Sequence, residues 1–214
     1  ARIRLVENFT GNELNTNRWG KCNTTGTAVF TMQDAADGGF RMSATGSSNT
    51  TNDVWIAFND NSTSGATSPI CQFNPYGSVL IDVMRYSSAK ATIASSGGGF
   101  STTGRGDQAT ASGQSNAVHM ANVSAGANFR FLTTLAGNAQ SNYGVDTSVV
   151  FDNNYHCNKI ELKPSSAENT LDGVLVATIT GQLPAHNQAP TYGSQGYNSS
   201  NPAIQLLYVE AYNT

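Results

Sequence analysis

The clearest strand signal in this chain of 214 residues is Lys159-Ile160-Glu161-Leu162-Lys163. Its two apolar residues point to one side of an extended backbone and its three charged residues to the other, which indicates a strand with one face in water. A polar stretch then leads to Asp172-Gly173-Val174-Leu175-Val176-Ala177-Thr178. The Asp-Gly pair favours positive φ and is typical of a tight turn, so we predict a hairpin there.

Six further runs show the two-residue period of half-buried strands. They are residues 28–32, 39–43, 53–58, 78–85, 129–133 and 148–151. In the run 78–85 the alternation places Val79, Ile81 and Val83 on one face and Asp82 on the other. The prolines fall between these runs, where a missing N–H does not interrupt a ladder. These patterns predict an all-β, antiparallel two-sheet β-sandwich that covers residues 1–214 as a single domain.

Composition agrees with many short strands joined by polar turns. Only 12% of the residues are charged, against about 25% in an average soluble domain, and there are 21 glycines. Two segments without a strand pattern, near 87–117 and 185–202, are rich in Ser, Gly and Asn. We predict that both are long polar loops at the rim of the sandwich, where binding surfaces are usually built.

Charge and cysteine content exclude several classes of protein. The net charge of −3, with basic residues scattered along the chain, gives no basic patch for nucleic acid. No run approaches 18 apolar residues, so we expect no membrane insertion. Cys22, Cys71 and Cys157 form no C-x-x-C pair, and we expect part-buried thiols rather than a zinc site. One disulfide with one free thiol is the alternative.

The two ends of the chain carry a family resemblance. The opening Glu7-Asn8-Phe9-Thr10-Gly11, continuing to Trp19, and the closing Leu206-Leu207-Tyr208-Val209-Glu210-Ala211-Tyr212 flank the Asp-Gly hairpin described above. In this order they resemble a concanavalin A-like lectin/glucanase domain of the laminin G/laminarinase kind. The resemblance implies a concanavalin A-like jelly roll whose last strand returns beside the first.

The glucanases of that family cut β-glucans with carboxylates in a Glu-x-Asp-x-x-Glu pattern on one strand. Alternate positions share a face, so an acid and a nucleophile can stand about 5–5.5 Å apart across the sugar linkage. No such pattern occurs here, and the strand that best corresponds, 79–85, has Asp82 as its lone carboxylate. One carboxylate cannot serve both roles, so we expect no catalytic residues and no enzyme activity.

Binding candidates are polar and aromatic residues of the expected loops. Tyr76, Tyr192 and Tyr197 are the candidates for stacking on sugar rings, with Asn187 and Asn198 as hydrogen-bonding partners. Trp19 and Trp55 match buried positions of the family pattern, and we expect both in the core.

Three other short motifs have weaker functional interpretations. The triplet Asn59-Asp60-Asn61 has oxygen ligands for Ca²⁺, the one cofactor candidate, although a simple turn is the default. Arg105-Gly106-Asp107 is an integrin-type triplet that a plain turn explains equally well, and the Asn-x-Ser/Thr sequons matter only in a eukaryotic source.

Similar domains are appended to bacteriophage structural proteins. That resemblance implies a non-catalytic virion surface protein, such as a capsid decoration protein or tail-fibre head. Its partners would be coat subunits or cell-surface polysaccharide, and we expect a homo-oligomer at the virion surface or outside the cell. A secreted lectin or carbohydrate-binding module is the alternative, and a laminarinase-type hydrolase is the third hypothesis.

Overall fold

The computed structural model describes residues 3–10, 14–23, 29–32, 38–43, 52–58, 70–87, 95–102, 117–123, 128–135, 143–196 and 203–214. Within these ranges there is no helix, and fifteen strands account for the regular structure. In chain order they are β1 (Arg4–Glu7), β2 (Trp19–Asn23), β3 (Val29–Met32), β4 (Phe40–Ser43), β5 (Asn52–Phe58), β6 (Ser78–Ser87), β7 (Ser95–Ser101), β8 (Ala117–Val123), β9 (Asn128–Thr134), β10 (Tyr143–Val150), β11 (His156–Lys163), β12 (Ser166–Leu171), β13 (Val174–Ile179), β14 (Ala189–Gly196) and β15 (Ala203–Asn213). None of the described ranges contains a helix of the length and apolarity needed to cross a membrane.

The described strands form two antiparallel sheets. The first sheet has the order β13-β12-β11-β6-β15-β4-β3, with β1 also paired to β15. The second sheet has the order β10-β9-β8-β7-β14-β5-β2. The predicted antiparallel β-sandwich is therefore confirmed, and each predicted strand run coincides with or overlaps a strand of the structure.

The core lies between the two sheets and is rich in aromatic side chains. Fully buried rings come from both sheets and from the segments that join them, and include Trp19, Phe40, Phe73, Phe100, Phe129 and Phe131. Burial of one such side chain stabilises the fold by about 1.5–3 kcal/mol. Trp19 packs against Phe58 with ring centroids 5.6 Å apart, as expected of a core tryptophan.

The opening motif forms a local cluster of contacts. The Glu7 carboxylate accepts hydrogen bonds from Arg18 Nη1 at 3.1 Å and from Trp19 Nε1 at 3.2 Å. Phe9 lies 5.7 Å from the Trp19 ring. Beside this cluster, Leu5 on β1 pairs with Ala211 on β15. The last strand thus returns beside the first, as the family resemblance implied.

Both expected long loops contain a strand, which corrects the prediction. β7 runs through the segment 87–117, and β14 runs through 185–202. Neither strand alternates apolar and polar residues, so neither shows a strand period. β7 instead has three consecutive glycines, and the ring of Tyr192 on β14 fills the space where a Cβ at Gly98 would stand. A cross-strand aromatic side chain thus supplies the packing that the glycine lacks.

Candidate functional site

One face of the second sheet points away from the core. Its core-facing residues include Met120, Phe131, Tyr192 and Ile56, which pair across neighbouring strands. The positions between them therefore belong to the outward face. Two adjacent rows on that face, which we call the floor, are Gly20-Ala57-Thr191-Gly99-His119-Leu132-Gly144 and Cys22-Trp55-Gly193-Gly97-Ala121-Arg130-Asp146.

Small residues dominate the floor. Seven of these fourteen positions are glycine or alanine, a composition that permits close approach of a ligand or another backbone to the sheet. The floor is not uniformly accessible. Gly97, Gly99 and Thr191 at its centre are buried, whereas Arg130 and Gly144 are half-buried and Asp146 is exposed. The accessible part of the floor, among the described residues, therefore lies over β9 and β10.

Trp55 is fully buried, as expected, but it lies on the outward side of the second sheet and not in the core between the sheets. It pairs with Gly193 on β14 and belongs to the floor rather than to the hydrophobic cluster between the sheets. A fully buried indole presents no ring face to solvent. Trp55 therefore supports the floor instead of offering a stacking platform.

An arginine and an aspartate on neighbouring strands mark the accessible end of the floor. Arg130 and Asp146 are directly opposite each other on β9 and β10. Asp146 accepts hydrogen bonds from the Ser148 N–H at 2.7 Å and from Asn128 Nδ2 at 2.9 Å. These two bonds lower the pKa of the Asp146 carboxyl, and the Arg130 charge adds to the effect. The carboxylate is therefore ionised and held by its bonds to Ser148 and Asn128.

Arg130 and Leu132 both lean over Gly144. Arg130 Nη2 lies 3.4 Å from the Gly144 carbonyl oxygen. A Cβ at Gly144 would stand 2.3 Å from the Leu132 side chain and 3.0 Å from Arg130 Nη2. The missing side chain of Gly144 thus makes room for the guanidinium close to the backbone of β10.

His119 is the one histidine in the strands of the second sheet. Its backbone pairs with Gly99 on β7 and Leu132 on β9. Arg130 lies two residues from Leu132 on the same strand, so positions 119 and 130 are diagonal neighbours about 7–8 Å apart. Sequence reasoning passed over His119 because the three histidines are dispersed along the chain, and only the register brings this one beside an arginine.

The strands of the second sheet do not carry the carboxylate pair of a hydrolase. Their described residues include two carboxylates, Asp53 on β5 and Asp146 on β10. Five strand spacings of about 4.8 Å separate those strands, so the two residues lie on the order of 24 Å apart. Hydrolysis by two carboxylates needs a separation of about 5–10 Å.

A carboxylate pair does occur on the outward face of the first sheet. Glu161 and Glu168 are directly opposite each other on β11 and β12. Lys159 lies 2.7 Å from Glu161, and Lys163 lies 2.7 Å from Glu168. The hydrogen bond from Lys159 lowers the pKa of Glu161. The general acid of a catalytic pair must stay protonated, and Glu161, held ionised by its lysine, cannot fill that role.

Asp82 faces the core, which corrects the predicted faces of β6. Leu80, Met84 and Tyr86 share its buried side, whereas Ile81 and Val83 are half-buried on the outward side. The alternation was right, but the outward assignment of Asp82 was wrong. The correspondence of this strand to the catalytic strand of the glucanases implied an outward Asp82, and the structure buries that residue in a polar network instead.

That network joins the two sheets. Asp82 Oδ2 accepts hydrogen bonds from Tyr192 Oη at 3.0 Å and from Asn158 Nδ2 at 3.1 Å. Asn169 donates in turn to Asn158 Oδ1 at 2.5 Å. Burial raises the pKa of Asp82 to about 7 against the opposing effect of these bonds. Because its surroundings are closed to solvent, Asp82 has a structural role and cannot contact a polysaccharide.

A second titratable cluster lies at the turns beside β11. His156 Nδ1 is 2.6 Å from Asp172 Oδ2, and Nε2 is 2.8 Å from Asp152 Oδ1. Burial alone would lower the pKa of His156, but the two carboxylates outweigh it and raise the pKa. Both ring nitrogens are engaged, and the described residues contain no group of three or more side chains suited to a metal ion.

The structure separates the predicted ligand-binding residues. Tyr192 lies on β14 and is fully buried, so its predicted exposure is wrong. Tyr76 is 50% exposed in a turn, and Asn187 is exposed just before β14. The backbone bridge between Phe73 and Gln188 brings these last two segments to one end of the sandwich. Tyr197, Asn198, the Asn59-Asp60-Asn61 triplet and Arg105-Gly106-Asp107 lie outside the described residues.

No family model and no curated protein matches this chain. Solved structures do match it over nearly its whole length. A β-glucanase from Bacillus licheniformis is 17% identical, with a TM-score of 0.62, and the match covers 99% of this chain and 98% of that one. An endo-β-galactosidase from Clostridium perfringens that releases GlcNAcα1-4Gal is 13% identical, with a TM-score of 0.68 over 97% of this chain and 62% of that one. A family 7 alginate lyase is 7% identical, with a TM-score of 0.60 over 94% and 96%.

These likenesses establish the concanavalin A-like sandwich, as the sequence resemblance implied. They also correct the expected function. The expectation of a non-catalytic virion surface protein is wrong, because the matching structures described above are glycan-processing enzymes and none is a virion protein. The absence of one carboxylate motif was too narrow a reason to exclude catalysis.

Proposed function

We propose that this protein is a polysaccharide-processing enzyme whose active site lies on the outward face of the second sheet. The observation that carries the proposal is the match over nearly the whole chain to several enzymes that cleave glycans. A polysaccharide substrate is consistent with an extracellular location. A homo-oligomer, and a Ca²⁺ site at Asn59-Asp60-Asn61, stay predictions.

The accessible end of the floor supplies the candidate site. Arg130 is half-buried and oriented over Gly144, so little side-chain freedom is lost when it binds an anionic or hydroxyl group. His119 is its diagonal neighbour by register. The imidazole of a histidine can act as a general base or acid.

A histidine next to an arginine, His119 and Arg130, favours elimination on an acidic polysaccharide over hydrolysis by two carboxylates. His119 would take the proton from the carbon next to a uronate carboxylate, and Arg130 would bind that carboxylate bidentately. The electron pair of the C–H bond forms a new C=C bond as the C–O bond to the neighbouring sugar breaks. The departing oxygen takes up a proton, and no water is consumed. The alginate lyase among the matching structures supports this second, narrower proposal.

Hydrolysis or transglycosylation is the other reaction class. It would draw its carboxylates from Glu13, Asp34, Asp37, Asp60 or Asp107, which lie outside the described residues. The proposal of a polysaccharide-processing enzyme holds for either class.

The test is an assay of the purified protein on neutral β-glucans, galactans and alginate. New reducing ends report any cleavage, and ultraviolet absorbance of the new C=C bond reports elimination alone. We expect His119→Ala to lower the elimination rate roughly 10²–10⁴-fold, the range for loss of a general base. His186→Ala, at an exposed residue before β14, is the matched control and should retain activity.

Two results would contradict these proposals at different levels. Cleavage without a new double bond, equally fast in His119→Ala, would refute elimination and support the carboxylate route. The absence of any cleavage product across the polysaccharide panel would refute the enzyme proposal itself.

A further inference from the structure

The outward side of the closing strand β15 carries an aromatic–acid–aromatic stripe. Leu206, Val209 and Ala211 are fully buried on the core side, and a register shift between Leu206 and Tyr208 sets their spacing. The alternate residues Tyr208, Glu210 and Tyr212 face outward on the first sheet and are half-buried. We call these three residues the β15 stripe. It lies on the opposite side of the sandwich from the floor.

The central carboxylate of the stripe is held in one orientation. Glu210 Oε1 accepts hydrogen bonds from Arg4 Nη2 at 2.7 Å and from Arg4 Nε at 3.0 Å. Glu210 Oε2 accepts a hydrogen bond from Tyr208 Oη at 2.7 Å. The Tyr208 bond and then the Arg4 bonds lower the pKa of Glu210. The group is therefore ionised and already oriented before any ligand arrives.

A pocket of about 500 Å³ opens at the end of the stripe. Its lining residues in the described part of the chain are Arg4, Glu210, Tyr212, Asn213 and Thr214. Its walls are tied to the turn before β6. The Thr214 N–H donates to the Gly77 carbonyl at 2.9 Å, and Asn213 Oδ1 accepts from the Asn74 N–H at 2.9 Å. This volume is within the usual range for small-ligand sites, about 300–1,000 Å³.

We infer that this pocket is a second carbohydrate site, which takes a neutral sugar unit and attaches the protein to polysaccharide. The ionised Glu210 accepts hydrogen bonds from sugar hydroxyls, and the remaining N–H groups of Arg4 donate to them. Tyr212 supplies a rigid aromatic wall at low entropic cost. Two N–H groups of Arg4 are already bonded to Glu210, so the neutral pair has no surplus positive charge to attract a uronate, and the pocket favours uncharged sugars.

This inference goes beyond the proposed function because the pocket takes no part in cleavage. Its described lining has Glu210 as the one carboxylate side chain, and the pocket lies on the sheet opposite His119 and Arg130. The pocket would hold the protein on a polymer while the floor acts on another stretch or another chain.

Electrophoresis through gels that contain a soluble neutral β-glucan tests the inference. The wild-type protein should be retarded, and both Tyr212→Ala and Glu210→Gln should lower the association constant roughly tenfold, as expected for the loss of one aromatic or charged contact. Tyr212→Phe keeps the ring and should remain retarded. Thr178→Ala, at an exposed residue of the same sheet face, is the matched control. Thermal unfolding checks that each variant is folded.

Two results would overturn the inference. One is equal retardation of the wild type and of folded Tyr212→Ala and Glu210→Gln. The other is a wild-type protein that no neutral polysaccharide in the gel retards. His119→Ala separates the two sites, because it should lose cleavage and keep retardation. Cleavage without retardation would leave the enzyme proposal standing, and retardation without cleavage would leave the second site standing.

Discussion

The carboxyl of Asp82 shows how burial converts a titratable side chain into a structural group. Oδ2 accepts both of its hydrogen bonds, and Oδ1 has no hydrogen-bond partner among the described residues. This arrangement suits a neutral acid with its proton on Oδ1, because an ionised oxygen left unpaired in the core is costly. The rise of its pKa to about 7 has the same cause.

We predict that the stability of the protein falls between pH 4 and pH 7 because of Asp82. Its pKa is raised in the folded state, so its contribution to stability is fully present below its ordinary pKa of 3.8 and is lost as the pH rises through about 7. The loss amounts to as much as about 4 kcal/mol. Chemical denaturation across this pH range measures it, and Asp82→Asn should remove most of the decline.

Asp146→Asn is the control for that experiment. Asp146 is an exposed carboxyl whose pKa is lowered, so its removal should leave the decline between pH 4 and pH 7 in place. A decline of the same size in Asp82→Asn would show that another group causes it, and the structural interpretation of Asp82 would be wrong.

At the scale of single elements, β7 and β14 depend on each other. β7 pairs with β14 from Ser101 to Ser95, and the ring of Tyr192 lies over the backbone of Gly98. The same ring contributes its hydroxyl to Asp82. A glycine tract with low intrinsic strand preference is thus held in a central strand by one aromatic side chain.

We predict that Gly98→Ala lowers the free energy of unfolding by about 1–3 kcal/mol, the usual cost of overpacking a core. The new Cβ would stand 2.0 Å from Tyr192 Cδ1, and a rigid buried ring that is hydrogen-bonded at its far end cannot move aside easily. Denaturant unfolding measures the change. Gly181→Ala is the control, because nothing lies within 4 Å of its added Cβ. Equal stability of the two variants would contradict this account of β7.

At the scale of the whole molecule, two tyrosines link the sheets through the core. Tyr192 of the second sheet donates to Asp82 of the first, and Tyr86 of the first donates to the Met120 carbonyl of the second at 3.1 Å. Aromatic rings fill the space around these bonds. Neither sheet can open without exposing polar groups that are satisfied only by the other.

We therefore predict one cooperative unfolding transition for both sheets. Trp19 and Trp55 both belong to the second sheet, so tryptophan fluorescence reports that sheet, whereas far-ultraviolet circular dichroism reports both. The two midpoints should coincide in a denaturant titration. A fluorescence change that precedes the circular dichroism change would show that the second sheet unfolds separately.

Local patterns were sufficient for the hairpin between β12 and β13. Asp172 and Gly173 have φ values of 50° and 84°, as the Asp-Gly pair predicts, and β11 alternates between buried and less buried residues as its sequence does. Such features depend on neighbours in the chain, since side-chain alternation and turn chemistry act over a few residues. The sandwich class follows from many such runs together.

The same patterns were insufficient wherever the outcome depended on distant strands. The buried face of β6, the strand conformation of the glycine tract in β7 and the proximity of His119 to Arg130 all arise from pairings between segments far apart in the chain. Alternation shows that two faces differ, but only the layer that packs on one of them determines which face is the core. For this reason the β-sandwich could be predicted from the amino-acid sequence, whereas the set of residues that share the floor emerged only from the assembled sheets.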